Sequence, residues 1–192
     1  IMTWSIVNSL INGESDNDQF GTAVAISGDG SVIAAGAPFA YKANQTTNPR
    51  LGEVTVYKNN SGTWEVYGQF EGVDDGDKYG HSLSLSDDGN IIAIGSIGDG
   101  AGEVRVIRRD SPSVWTVYGI FRGGSGDNFG QSVSLSADGT VLAVGADGGS
   151  GGSHYTKIYQ YSSGSDSWSQ LGSDINGKVT GEKFGYSVSL SA

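Results

Sequence analysis

The chain has 192 residues, 36% hydrophobic, with 32 glycines, no cysteine and a formal net charge of −10. That acidity excludes a basic nucleic-acid-binding face and disfavours adsorption to anionic lipid, since its eleven Lys and Arg are scattered. Lack of cysteine excludes disulfides and thiolate metal sites, and no apolar run approaches the ~20 residues that insert directly into a membrane.

From the N-terminus, Trp4-Ser-Ile-Val-Asn-Ser-Leu10 reads as a strand. Phe20-Gly21 then opens a segment, Phe20-Gly-Thr-Ala-Val-Ala-Ile-Ser-Gly-Asp-Gly-Ser-Val-Ile-Ala-Ala-Gly-Ala37, that recurs from Tyr79-Gly80 and Phe129-Gly130 and begins again at Phe184-Gly185. In the copy at Phe129, Ser132-Val-Ser-Leu-Ser136 alternates with the period of a half-buried strand, and Ala137-Asp-Gly-Thr140 is a hairpin turn. Val141-Leu-Ala-Val144 is continuously apolar, as in a strand covered on both faces. A third strand follows at Gly52–Tyr57, Gly102–Ile107 and Tyr155–Tyr161. A fourth begins at a tryptophan: Trp64, Trp115 and Trp168, with Trp4 as the same strand of an earlier unit. No helical stripe interrupts the pattern.

Four strands per unit, tightly turned and repeated, predict an all-β fold: a β-propeller of four-stranded antiparallel blades, each sheet packing on the next. The expected division is 1–19 (end of one blade), 20–78, 79–128 and 129–183 (blades) and 184–192 (start of the next). The strand count gives about three and a half blades, an arc of a longer ring, since rings close with about four to eight. Apolar faces are then expected near Trp4 and near Val188 and Leu190.

The aromatic-Gly openings, with Gly36-Ala-Pro38, Gly95-Ser96, Gly145-Ala146 and the Gly-Glu-Val-x-Val strands, resemble the FG-GAP repeats of integrin α-subunit propellers. The resemblance covers nearly the whole chain. WD-repeat and sialidase Asp-box propellers share only fragments of the pattern. Many FG-GAP blades carry a calcium loop between their first two strands. Here that hairpin has shrunk to Gly28-Asp-Gly30, Asp87-Asp-Gly89 and Ala137-Asp-Gly139, too few carboxylates to wrap the ion. The carboxylates of Asp29, Asp88 and Asp138 are expected to bond nearby amides or face water.

An acidic residue stands two places before each opening aromatic: Asp18, Asp77, Asp127 and Glu182. It reads as a cap of the inter-blade turn. The alternative is a cation, calcium in particular, at Asp74, Asp75 and Asp77; no other cofactor is expected. His81 occupies a position that varies between copies (Thr22, Gln131, Tyr186), marking it as a rim residue rather than a catalytic one. His154, in a Gly/Ser-rich stretch, is expected in solvent. Two isolated histidines offer no triad, and no unique polar cluster is expected to break the repeat. Asn44-Gln-Thr46 and Asn59-Asn-Ser61 fit the N-glycosylation pattern.

The loop from Phe39 to Leu51 is the longest insertion, and Tyr41, Lys42, Asn48 and Arg50 are its candidate partner-binding residues. The expected function is a non-catalytic, extracellular or cell-surface binding module. Its partners would be a protein or glycan, or the remaining blades of the same propeller. The alternatives are a segment of an enzyme whose catalytic residues lie elsewhere, or a structural module of an extracellular assembly.

Overall fold

A computed structural model describes residues 10–42, 49–98, 101–149, 151–179 and 181–191. Among them the fold is all-β, without helix, and is a propeller of antiparallel four-stranded blades. Blade 1 comprises β1 (Ala23–Ile26), β2 (Val32–Ala37), β3 (Glu53–Asn60) and β4 (Thr63–Glu71). Blade 2 comprises β5 (Ser82–Leu85), β6 (Ile91–Ser96), β7 (Glu103–Ser111) and β8 (Val114–Arg122). Blade 3 comprises β9 (Phe129–Leu135), β10 (Val141–Asp147), β11 (His154–Ser162) and β12 (Ser167–Gln170), and a short β13 (Ile175–Asn176) continues its outer edge along β11. The strands follow chain order within each sheet, so β1, β5 and β9 are the inner strands and each tryptophan strand is the outer one. The strand predicted at Trp4 lies outside the described residues.

The blades are built by one turn used three times. Ser27, Ser86 and Ser136 each donate their hydroxyl to the aspartate two residues on, at 2.8, 2.6 and 2.7 Å. The same hydroxyls accept the amides of Val32, Ile91 and Val141 at 2.9–3.0 Å. Each aspartate in turn accepts the amide of Ser31, Asn90 or Thr140 at 2.9 Å. A Ser-x-Asp-Gly-x hairpin thus satisfies its own polar groups, and the glycine supplies the positive φ (73°, 67° and 70°) that the turn requires. Neighbouring turns are also joined: Gly28 donates its amide to the Asp87 carbonyl, and Asp87 donates to that of Ala137, at 2.9 and 2.8 Å.

Two apolar layers lie between blades. Val32, Ala34, Val54 and Val56 of blade 1 meet Leu85, Ile92, Ile94 and Ile107 of blade 2. Ala93, Val104, Val106 and Phe121 of blade 2 meet Val133, Leu135, Leu142 and Val144 of blade 3. The opening aromatics Tyr79 and Phe129 are 2% and 0% exposed, so they anchor the core rather than the surface. Residues 184–191 continue the arrangement: Ser132 donates its hydroxyl to the Gly185 carbonyl, and Leu190 its amide to the Ser134 hydroxyl. Val188 and Leu190 are consequently half-buried, Trp4 lies outside the described residues, and among the described residues a bare apolar face is found at Val24 and Ile26 of β1.

Candidate functional site

The links between blades and the loops joining second to third strands share one face of the sheets. There each acidic residue that precedes an opening aromatic caps its own loop. Asp18 accepts the amides of Ser15 and Phe20. Asp77 accepts those of Val73 and Asp74 at 2.9 and 2.8 Å. Glu182 accepts the amide of Lys178. Asp127 is the most heavily engaged, taking the amides of Gly124 and Ser153 and the Tyr155 hydroxyl at 2.8–2.9 Å. Burial opposes its ionisation, but those donors and Lys157 outweigh it and hold its pKa below the usual carboxylate value.

The three candidate cation ligands point their carboxylates to different tasks. Asp77 is committed to its loop amides, Asp75 accepts the amide of Arg50 at 2.7 Å, and Asp74 is exposed. Among the described residues no group of three or more His, Asp or Glu is arranged to hold a metal.

In the long loop, Tyr41 and Arg50 pair as a β-bridge, with the Arg50 guanidinium 4.6 Å above the Tyr41 ring. Lys42 is tied to Glu71 by a 2.6 Å ion pair. Asn44 and Asn48 lie outside the described residues. Asn59 sits at the β3–β4 hairpin, where its side-chain oxygen accepts the Gly62 amide at 2.8 Å.

On the inner rim of the loop face, His81 and Gln131 stand at the position that varies in type between the repeats. His81 directly precedes the inner strand β5, and Gln131 lies near the start of the next inner strand, β9. Besides burial, the groups that bear on the imidazole's charge are the Lys78 ammonium, the Gln131 side chain and the Asp147 carboxylate, at the end of β10. Asp147 is buried, and accepts the Asn128 side-chain amide at 3.2 Å and the Gly149 amide at 3.3 Å. Burial and the Lys78 ammonium lower the His81 pKa below the ordinary imidazole value, against the opposing pull of Gln131 and Asp147. The half-buried imidazole is therefore neutral near pH 7, with a lone pair able to take a proton.

His81, Gln131 and Asp147 come from three segments, so no local motif joins them. The one signal available was that His81, Gln131 and Asp147 each depart in type from their counterparts in the other copies. His154 also departs from expectation. It is half-buried rather than in solvent: its Nε2 accepts the Gly181 amide at 3.2 Å, while its buried Nδ1 has no partner among the described residues.

No family model and no curated protein sequence matches the chain. Solved propellers do match. A candidate 6-phosphogluconolactonase from Bacteroides fragilis is similar at TM-score 0.56 and 13% identity, over 80% of this chain and 38% of that one. A periplasmic gluconolactonase from Pseudomonas aeruginosa is similar at TM-score 0.51 and 17% identity, over 73% of this chain and 39% of its own. A second candidate 6-phosphogluconolactonase, from Bacteroides uniformis, is similar at TM-score 0.55 and 10% identity, over 80% and 39%. The chain spans about two fifths of the length of these structures.

These findings correct the FG-GAP, integrin-like resemblance, with the cell-adhesion role it implied. Three solved propellers that share this fold are named as lactonases. The aromatic-Gly opening marks a buried inter-blade anchor, a packing requirement that does not by itself distinguish one propeller family from another. The expectation of a non-catalytic binding module is corrected on the same finding, because these three propellers carry the names of hydrolytic enzymes.

Proposed function

We propose that the chain is a segment of a lactonase-type propeller hydrolase, with a cyclic ester of a sugar acid as the substrate class. The observation that carries this reading is the propeller fold it shares, over 73–80% of its length, with proteins named as gluconolactonases and 6-phosphogluconolactonases. The His81 group supports a place for the chemistry. A neutral imidazole there takes a proton from water as the water oxygen attacks the lactone carbonyl. The ring C–O bond then breaks, and the proton passes to the leaving alkoxide, giving the open hydroxy acid. Gln131 and Asp147 both favour its protonated form. The periplasmic relative supports a location outside the cytoplasm, extracellular or at the cell surface.

The test is hydrolysis of glucono-δ-lactone and its 6-phosphate near neutral pH by the polypeptide containing this chain, with spontaneous opening subtracted. His81→Gln should lower kcat by roughly 10²-fold or more, the range of a lost general base. Full activity in that variant would remove His81 from the mechanism. Hydrolysis no faster than the spontaneous rate for both substrates would remove the lactonase reading.

A further inference from the structure

The leading face of blade 1, the one turned away from blade 2, differs from its counterparts only in being open. Strand register makes Val24 and Ile26 equivalent to Leu83 and Leu85 in blade 2 and to Val133 and Leu135 in blade 3. Leu85, Val133 and Leu135 are 6–9% exposed, whereas Val24 and Ile26 are 71% and 63% exposed. With Ile11, Phe20, Ile33 and Tyr57 they line an apolar concavity of about 500 Å³.

Two glycines repeat the contrast. A methyl group built on Gly80, Gly130 or Gly185 would press on the preceding blade, while one on the equivalent Gly21 would meet nothing within 4 Å. A methyl on Gly89 or Gly139 would lie 2.7 Å from Val32 or 2.6 Å from Ile91, while on Gly30 only Ile26 of its own hairpin comes within 3.9 Å. Gly21 and Gly30 thus carry the close-approach residue of an interface that no described residue completes.

We propose that this face seats a further four-stranded blade of the same repeat. The proposal is independent of the lactonase reading and rests on continuity with two interfaces seen in full. They fix the chemistry of the occupant. It presents a glycine at the position of Gly36 or Gly95, whose missing side chain admits the Gly80 or Gly130 carbonyl. It presents a branched aliphatic residue over Gly30, as Val32 and Ile91 do over Gly89 and Gly139. A serine on its inner strand would offer a hydroxyl to the Ile26 amide, as Ser84 does to Leu135 and Ser134 to Leu190 at 2.9 and 3.0 Å, whereas Ala25 offers none to Leu85. Its hairpin turn donates an amide to the Gly28 carbonyl, extending the ladder of turns.

The test adds such a blade to the full chain. One version carries a duplicate of residues 129–164 at the N-terminus and a second a duplicate of 79–111. Each supplies three strands and ends where Trp4–Leu10, read as a tryptophan strand, can complete the sheet. Hydrogen exchange at the Ile26 amide should slow at least ~10-fold in an extended chain, the scale of an amide entering a cooperative unit. Its melting temperature should also rise. Ile26→Asp should erase that gain while leaving the unextended chain's melting unchanged. Equal exchange and melting in both extended chains would overturn the proposal. So would concentration-dependent, Ile26-dependent dimerisation of the unextended chain, which would make the occupant a second copy.

Discussion

Trp115 and Trp168 occupy equivalent positions, yet their replacement by phenylalanine should have different consequences. Trp115 reaches from β8 onto the outer strand of blade 1, stacking edge-on against Tyr67 and Phe70 at ring separations of 5.7 and 5.4 Å. Its Nε1 donates to the Tyr67 carbonyl at 3.0 Å, an approach that Gly68 permits, because a methyl there would lie 2.9 Å from the indole nitrogen. Trp168 makes the same edge-on contacts with Tyr118 and Phe121 at 5.8 and 5.7 Å, but its buried Nε1 has no partner among the described residues.

Both substitutions shed a similar amount of ring area, so the difference isolates the N–H. Losing the bond in Trp115→Phe costs about 0.5–1.5 kcal/mol, whereas Trp168→Phe removes a donor whose unmet burial costs about 1–3 kcal/mol. Trp115→Phe should therefore be the more destabilising by about 2 kcal/mol, or roughly 4–8 °C in melting temperature for a chain of this size. Urea unfolding followed by far-ultraviolet circular dichroism, with equal m-values required of both variants, measures the gap. Equal losses, or a greater loss at Trp168, would refute the reasoning that the two indoles differ by a hydrogen bond.

Acid should weaken the hairpins in a predictable window. Hydrogen bonds from the Ser31 amide and Ser27 hydroxyl hold Asp29 at a pKa of about 2, and donors at Asp138 likewise lower its value. A carboxylate depressed by folding contributes stability above its unfolded pKa of about 3.9 and loses it as pH falls through the folded value. Melting temperature should drop between about pH 5 and pH 2, less steeply in Asp138→Asn; an unchanged slope in that variant would show that the turn is not the titrating element. Gly36→Ala should destabilise by about 1–3 kcal/mol or more, because the added methyl would meet the Gly80 carbonyl across the blade interface. A melting temperature within 1 °C of the parent, taken as roughly the smallest shift that matters here, would show that the two inner strands can part without loss.

The fold was legible in the sequence because its information is local and repeated. Alternation, the Ser-x-Asp-Gly-x turn and the tryptophan opening each act within a few residues, and their recurrence fixes four strands and a blade. The same repetition misled the reading of family and of function. Phe20, Tyr79, Phe129 and Phe184 satisfy a packing requirement at the inter-blade seam, so their resemblance to one set of repeats carried less about descent than about geometry. Only tertiary structure sets the surroundings of His81, on whose charge Lys78, Gln131 and Asp147 all bear. These residues come from different blades, and the imidazole's neutral state depends on burial and on charges that no single segment contains. Likewise Val24 and Ile26 read as ordinary core residues in the chain, and their exposure follows from which surface lies opposite them, a property that sequence alternation does not encode.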